Sequence, residues 1–108
     1  MGEKGAKQRQ MAAQAAHGLV DDLASLGDVT SKGMFGGFGI FESGVMFALV
    51  DSAGTAFLRL GPENEIRFDG RHGRMPYGRV PDDVLADDEQ LRIWAGEALR
   101  VAHSAKNK

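Results

Sequence analysis

The sequence GMFGGFGIFESGVMFALV, residues 33–50, has five glycines among its first twelve residues and ends in a continuous apolar run. Glycine-rich segments of this kind occur in phosphate-binding loops and in the turns of small antiparallel sheets. The two interpretations lead to different functions, because a phosphate-binding loop would make the chain a candidate nucleotide-dependent enzyme.

The phosphate-binding motifs do not fit this stretch. The dinucleotide fingerprint G-x-G-x-x-G would need a third glycine where Glu42 stands, followed by a helix. The P-loop motif would need a lysine and a hydroxyl residue after Gly44, but Val45 and Met46 follow it. We therefore interpret the glycines as sheet residues that permit positive φ at turns and close approach between backbones.

Outward from this stretch, the apolar pattern indicates an antiparallel sheet. Short apolar and β-branched segments alternate with loops that contain glycine, and Ser43-Gly44 has the length and composition of a two-residue hairpin turn. Pro76 predicts an edge position or a bulge for the last strand. The predicted strands are residues 30–35, 38–42, 45–50, 55–60 and 74–80, and residues 62–69 are either a short helix or an irregular link.

Helical patterns flank the sheet on both sides. The first helix has an apolar stripe with spacings of four and three residues, and Gly27 suits a left-handed position after its end. Pro81 is expected at the first position of a short helix, and Asp87 with Gln90 predicts a capping box for the last helix. Trp94 lies on the apolar stripe of that last helix, and we expect it to be buried against the sheet. The stripe of the first helix consists of Ala12, Ala16, Leu19, Leu23 and Leu26.

These patterns predict an α+β fold with two layers, in which N- and C-terminal helices pack on an antiparallel sheet of about five strands. The 108 residues, 43% of them apolar, suit one domain over residues 1–108, with residues 1–7 and 103–108 as flexible tails. The chain has no cysteine and no apparent signal segment, and its longest apolar run, residues 45–50, is too short to span a bilayer. We expect a cytoplasmic protein without membrane association.

The sequence offers little for catalysis. The three histidines lie in separate segments without metal-ligand spacing, and the paired acids 82–83 and 87–88 stand where helix starts favour carboxylates. The serine pattern G-x-S-x-G is absent. We therefore predict no catalytic residue, no metal, no cofactor and no small-molecule substrate.

Three segments in order resemble the N-terminal domain of the TfoX/Sxy family. They are KGMFGGFGIFESGVMFALV at 32–50, AFLRL at 56–60 and MPYGRVPDDVLADDEQLRIWAGEAL at 75–99, and the resemblance runs from about Leu19 to Ala102. The positions that match the motifs of the family are Met34, Phe35, Gly36 and Gly37; Met46, Phe47 and Ala48; and Met75, Tyr77 and Pro81.

The resemblance implies a two-layer α+β domain similar to secretion chaperones, without catalytic residues. It also implies regulation of natural competence, because the named members act with the cyclic-AMP receptor protein at certain promoters. Two departures from the family are expected: the second, helical domain of those regulators is missing, and the segment between Leu60 and Met75 is short.

Two functions follow from the sequence. The first is a regulatory interaction module that works by protein–protein contact in the setting of transcription. The alternative is weak direct nucleic-acid binding through Arg71, Arg74 and Arg79, with Tyr77 as a stacking platform. The net charge of −2 and the acidic segment 81–99 do not favour the alternative.

The predicted protein interface follows from the expected strand register. If Glu42 pairs with Val45 and Val50 pairs with Thr55, alternation divides the strands into two faces. One face is the core beneath the helices, with Phe38, Ile40, Val45, Phe47, Leu49, Ala56, Leu58 and Leu60. The other carries Gly39, Phe41, Met46, Ala48, Val50, Thr55, Phe57 and Arg59.

That second face has too many apolar residues for one that is exposed to water. Its predicted contact residues are Phe41, Met46, Val50, Phe57 and Arg59. We expect either a second copy of the chain or a regulatory protein partner to cover it, the alternative being a terminal segment of the same chain. A homodimer would become monomeric on Phe57→Arg.

Overall fold

A computed structural model of the chain describes residues 2–34, 36–68, 70 and 75–106, and the side chains in these ranges from residue 10 to residue 105. Helix α1 (Gly2–Asp22) precedes strands β1 (Val29–Met34), β2 (Gly37–Glu42), β3 (Val45–Val50) and β4 (Ala56–Arg59). Strand β5 (Tyr77–Arg79) and helices α2 (Asp82–Leu85) and α3 (Asp88–Lys106) complete the described order. The sheet has the order β1-β2-β3-β4-β5, with every pair antiparallel.

The two long helices lie on one face of this sheet. Helix α1 contacts β1, β2 and β3, and helix α3 contacts β3 and β4. The core between the layers includes the fully buried side chains of Leu23, Ile40, Phe47, Leu58 and Leu91. The predicted two-layer α+β fold with five antiparallel strands is confirmed.

The ends of the helices differ in detail from the expectation. Helix α1 is followed by a 3₁₀ turn (Ala24–Leu26), and Gly27 has φ 148° and ψ −151° instead of left-handed helical values. Pro81 precedes α2 as its N-cap and is not its first helical residue. Asp87 does cap α3, because its Oδ1 accepts hydrogen bonds from the backbone N–H groups of Glu89 and Gln90, both at 3.1 Å.

The helical backbone extends into the segments that were expected to be tails. Helix α1 begins at Gly2 and α3 ends at Lys106, so parts of both 1–7 and 103–108 are helical. The flexibility of these two segments stays a prediction.

The hairpin turn between β2 and β3 accounts for the last glycine of the glycine-rich stretch, Gly44. Ser43 and Gly44 have φ values of 51° and 83°, which is the type I′ geometry that suits the twist of two-residue hairpins. This turn pairs Glu42 with Val45 and Phe41 with Met46, as predicted.

A bulge follows these two pairs and overturns the rest of the predicted register. Phe41 pairs with Met46, but the next residue of β2, Ile40, pairs with Ala48 instead of Phe47. Phe47 is therefore an extra residue in β3 that has no partner in β2. Phe47 and Ala48 are consecutive, yet both are fully buried in the cluster beneath the helices. Downstream of the bulge, each β3 side chain therefore lies on the face opposite to the predicted one.

The next loop adds a second one-residue correction. Oδ1 of Asp51 accepts the backbone N–H groups of Ala53 and Thr55 at 3.0 and 2.9 Å, and Asp51 N–H donates to the Thr55 carbonyl at 3.0 Å. These bonds hold Thr55 in the loop, so Val50 pairs with Ala56 and not with Thr55.

Trp94 packs against the core beneath the helices but remains half-buried, so the expectation of a buried tryptophan is confirmed only in part. Its ring packs edge-on against Phe68, with centroids 5.0 Å apart and an interplanar angle of 76°. Phe68 lies over the backbone of Gly78 in β5, where a Cβ would come within 2.6 Å of the Phe68 ring. The Arg67 guanidinium lies 5.8 Å from the Trp94 ring centre and pairs with Glu97 at 3.0 Å. In the segment 62–69, ambiguous in the sequence, residues Glu65–Arg67 form a 3₁₀ turn, and Arg67 and Phe68 contribute to the packing of α3.

Candidate protein-interaction surface

The face of the sheet opposite the helices is called here the open face. The register aligns Lys32, Gly39, Leu49, Phe57 and Arg79 as direct neighbours in one row that crosses all five strands. Residues paired in this way share a face of the sheet. Since Leu49 and Phe57 belong to a cluster separate from the one beneath the helices, the whole row lies on the open face.

A small apolar cluster fills the middle of the open face. Leu49, Phe57 and Tyr77 are buried against one another, and Met46 packs beside them. The Tyr77 hydroxyl donates to the Met46 carbonyl at 3.4 Å, and the Arg59 guanidinium lies 5.9 Å from the Tyr77 ring centre. Burial raises the pKa of Tyr77 above its ordinary value, so the hydroxyl remains a proton donor at neutral pH.

Next to this cluster, the open face contains an apolar cavity of about 410 Å³, which we call the methionine groove. Its apolar walls include Met34, Phe41, Met46, Leu49 and Met75. Three of the five methionines of the chain therefore line one groove. Methionine adapts its shape easily and is common on surfaces that accept varied apolar partners.

The predicted interface residues fall into three groups. Phe41 and Met46 are half-buried and line the methionine groove. Val50 borders the groove, but it is 1% exposed and belongs to the cluster beneath the helices, which corrects its predicted place on the open face. Phe57 is on the open face but only 6% exposed, and Arg59 is half-buried beside Tyr77.

A second cavity, of about 500 Å³, lies near the end of α3. Its lining combines Arg59, Met75 and Tyr77 with Ala102 and Ala105 of α3. It shares Met46 and Met75 with the methionine groove, so the two cavities lie side by side.

Of the four residues predicted for nucleic-acid contact, the structure describes two, Tyr77 and Arg79. Arg79 is exposed on the open face, whereas Tyr77 is only 3% exposed and its ring is packed in the apolar cluster. Stacking of a base would require the Tyr77 ring to leave that cluster. Arg71 and Arg74 lie outside the described residues.

Sequence reasoning missed four residues of this surface: Lys32, Met34, Leu49 and Met75. The signal for Met34 and Met75 was present, because both belong to the segments that resemble the family. Leu49 was assigned to the core because the bulge in β3 was not foreseen.

On the helix side, an acid–histidine contact joins the end of β2 to α3. Oε1 of Glu42 lies 2.8 Å from Nε2 of His103, and Oε2 accepts the Ser43 hydroxyl at 2.7 Å. The Ser43 hydrogen bond, followed by the His103 contact, lowers the pKa of Glu42 below its ordinary value.

We expect Glu42→Gln to lower the melting temperature at pH 7 and to lower it by less at pH 3. The folded-state pKa of Glu42 is below its unfolded value of about 4.5. Its contribution to stability is therefore complete above that value and is lost as the pH falls through the folded-state pKa. Thermal unfolding at pH 7, 5 and 3 measures this, with the exposed Glu63→Gln as control. A melting-temperature difference that is the same at all three pH values would contradict the assignment.

The described part of the chain holds no group of three or more His, Cys, Asp or Glu side chains that could bind a metal ion. Nor does any described helix have the length and hydropathy needed to cross a membrane. The distinctive feature of the described residues is an apolar surface and not a polar pocket.

The fold and this surface define a small α+β domain with one layer of helices and one open sheet face. The family model of the TfoX N-terminal domain matches residues 21–102, so the chain belongs to that family. The family is a non-catalytic domain family, and membership makes this chain a TfoX-like regulatory domain. No curated protein matched the sequence.

Proposed function

We propose that this chain is a non-enzymatic regulatory module of the cytoplasm that acts in transcription by binding another protein through its open face. The resemblance to TfoX/Sxy competence regulators supports the regulatory setting. The observation that carries the mode of action is the methionine groove, an apolar cavity on a sheet face that lies opposite both long helices.

An open sheet face that meets only water normally carries polar side chains. Here Met34, Phe41 and Met46 lie around a groove instead, and of the described residues that line it, none comes from α1 or α3. A continuous apolar patch is typical of a protein-contact surface. The alternative of a terminal segment folded over the face is less favoured, since no described residue of α1 or α3 lines the methionine groove, although Ala102 and Ala105 near the end of α3 border the second cavity beside it.

Site-specific photocrosslinking in the native cell tests this function. A photoreactive phenylalanine analogue at Phe41 reports on the open face, and the same analogue at Ile93, which is 45% exposed on α3, serves as the matched control. We expect a discrete protein adduct from position 41 that survives nuclease treatment, and a much weaker one from position 93. Equal adducts at both positions, or an adduct from position 41 that nuclease removes, would contradict the proposal.

Phe57→Arg does not test the surface alone, because Phe57 is buried beside Leu49 and Tyr77. A charged side chain there would disrupt the apolar cluster and so affect folding as well as binding. Phe41 is the better reporter, because it is half-buried at the groove itself.

A further inference from the structure

The charged side chains of the strands on the open face are all basic. Lys32 and Arg79 stand at opposite ends of the row that crosses the sheet, and Arg59 pairs with Tyr77 one step away. Among the described residues that line the methionine groove, Asp51 is the one acid, and its Oδ1 already accepts two backbone N–H groups. The face is thus apolar in the middle and positively charged at both edges, although the chain has a net charge of −2.

The dimensions of this face suit a helix. Four strand spacings of about 4.8 Å place the backbones of Lys32 and Arg79 roughly 19 Å apart across the sheet. A helix with its side chains is about 10–12 Å wide, so one helix fits between these two long side chains and leaves them room to reach its flanks. The six residues of β3 extend over about 20 Å, the length of about 13 helical residues.

We propose that the occupant of the open face is an amphipathic helix of another protein, with an apolar stripe flanked on both sides by acidic residues. The apolar stripe enters the methionine groove, and the acidic flanks meet Lys32 on one side and Arg59 and Arg79 on the other. Helix-in-groove recognition of this kind depends on apolar anchors for affinity and on flanking charges for orientation. This inference rests on the proposed function and adds the chemistry of the partner.

A second copy of the chain fits this face less well. A two-fold symmetric contact places the same patch on both sides, so each basic edge would face basic residues of the other copy or leave them unpaired. Like charges directly opposite one another destabilise such contacts.

Single-stranded nucleic acid also fits less well. Binding of bases needs exposed aromatic rings as stacking platforms. On this face the rings of Phe57 and Tyr77 are 6% and 3% exposed, which leaves the half-buried Phe41 as the one described ring of the open face that a base could reach, and most of the other groove side chains are methionine or aliphatic.

Fluorescence anisotropy with three labelled probes tests the inference. Two helical peptides of about 16 residues share one leucine and phenylalanine stripe, flanked by glutamates in the first and by lysines in the second. The third probe is a thymidine oligonucleotide of similar length. We expect the glutamate peptide to bind at least tenfold more tightly than the lysine peptide, with a difference that shrinks as salt screens the charges. Binding of the oligonucleotide that displaces the glutamate peptide would overturn the inference.

Charge reversal on the protein supplies the second arm. The double variant Lys32→Glu with Arg79→Glu should lose at least tenfold in affinity for the glutamate peptide and gain affinity for the lysine peptide. Arg92→Glu, an exposed residue of α3, is the matched control and should change neither. Both reversed side chains are exposed, so circular dichroism is expected to show an unchanged fold.

The outcomes separate this inference from the proposed function. If both peptides bind equally and Met34→Gln weakens both, the groove is a contact surface, but the result contradicts the proposed acidic flanks of the partner. If neither peptide binds while position 41 still forms a protein adduct, the result contradicts a helical partner and the proposed function stands. Self-association of the wild type, seen by light scattering and abolished by Phe41→Glu, would assign the face to a second copy and overturn the inference.

Discussion

Gly37→Ala is expected to destabilise the protein by about 3 kcal/mol or more, a large part of the roughly 5–15 kcal/mol that holds a small domain together. A Cβ at position 37 would press against the backbone carbonyl oxygen of Val50, closer than real Cβ atoms come to any neighbour. It would also lie 3.0 Å from the Cα of Asp51. Backbone atoms of a paired strand cannot move aside as a flexible side chain can, so β2 and β3 would have to separate at this end.

Urea denaturation of the variant measures this loss. Gly18→Ala is the matched control, because position 18 lies in α1 and a Cβ there has no neighbour within 4 Å. Alanine favours helix over glycine by about 1 kcal/mol, so this control should stabilise the protein. A Gly37→Ala protein as stable as the wild type would show that the two strands do not approach as described.

Asn64→Ala is expected to cost about 2–4 kcal/mol, because Asn64 is fully buried and satisfies two backbone groups. Its Oδ1 accepts the Gly61 N–H at 2.8 Å, and its Nδ2 donates to the Arg59 carbonyl at 2.8 Å. Alanine would remove both partners, and each unpaired buried group costs about 1–3 kcal/mol. The neighbouring Glu63 is exposed, so Glu63→Ala should have almost no effect on the free energy of unfolding.

Asn64→Asp distinguishes the two hydrogen bonds. Aspartate keeps an acceptor for the Gly61 N–H but turns a carboxylate oxygen toward the Arg59 carbonyl, where the amide donor had been. We expect this variant to be at least as unstable as Asn64→Ala at pH 7 and to recover part of its stability on acidification, as the carboxyl protonates. Equal stability of Asn64→Asp and the wild type at pH 7 would contradict the described hydrogen bonds.

The fold class was predictable because local signals and the apolar pattern agree along most of the chain. The Ser43-Gly44 turn, the two-residue alternation around it and the Asp87 cap each depend on neighbouring residues, so the sequence contains them directly. The conformation of residues 65–67 was not predictable in this way. It depends on Asn64, whose hydrogen bonds join the turn to Gly61 and to the end of β4.

The candidate surface was only partly predictable. Side chains alternate between the two faces of a strand, so one error in the register reverses the predicted face of every residue that follows it. Phe41 and Met46 precede the bulge and were placed correctly on the open face, whereas Leu49 and Val50 follow it and were exchanged. The extra residue Phe47 is a result of packing, since the large side chain of Phe47 and the small side chain of the next residue, Ala48, both enter the core. The partial exposure of Trp94 was not predictable either, because the ring that it packs against, Phe68, comes from a segment without a clear apolar pattern.

The methionines provide the most direct test of the claim that the open face is the contact surface. Met34, Met46 and Met75 line the groove, while Met11 is 54% exposed on α1 and reports on the helix layer. With the methyl groups of its methionines labelled with carbon-13, the protein can be observed by NMR in nuclease-treated extract of its native cell. We expect the signals of Met34, Met46 and Met75 to shift or broaden selectively, while that of Met11 stays unchanged. A change at Met11 with unchanged groove signals would contradict that claim.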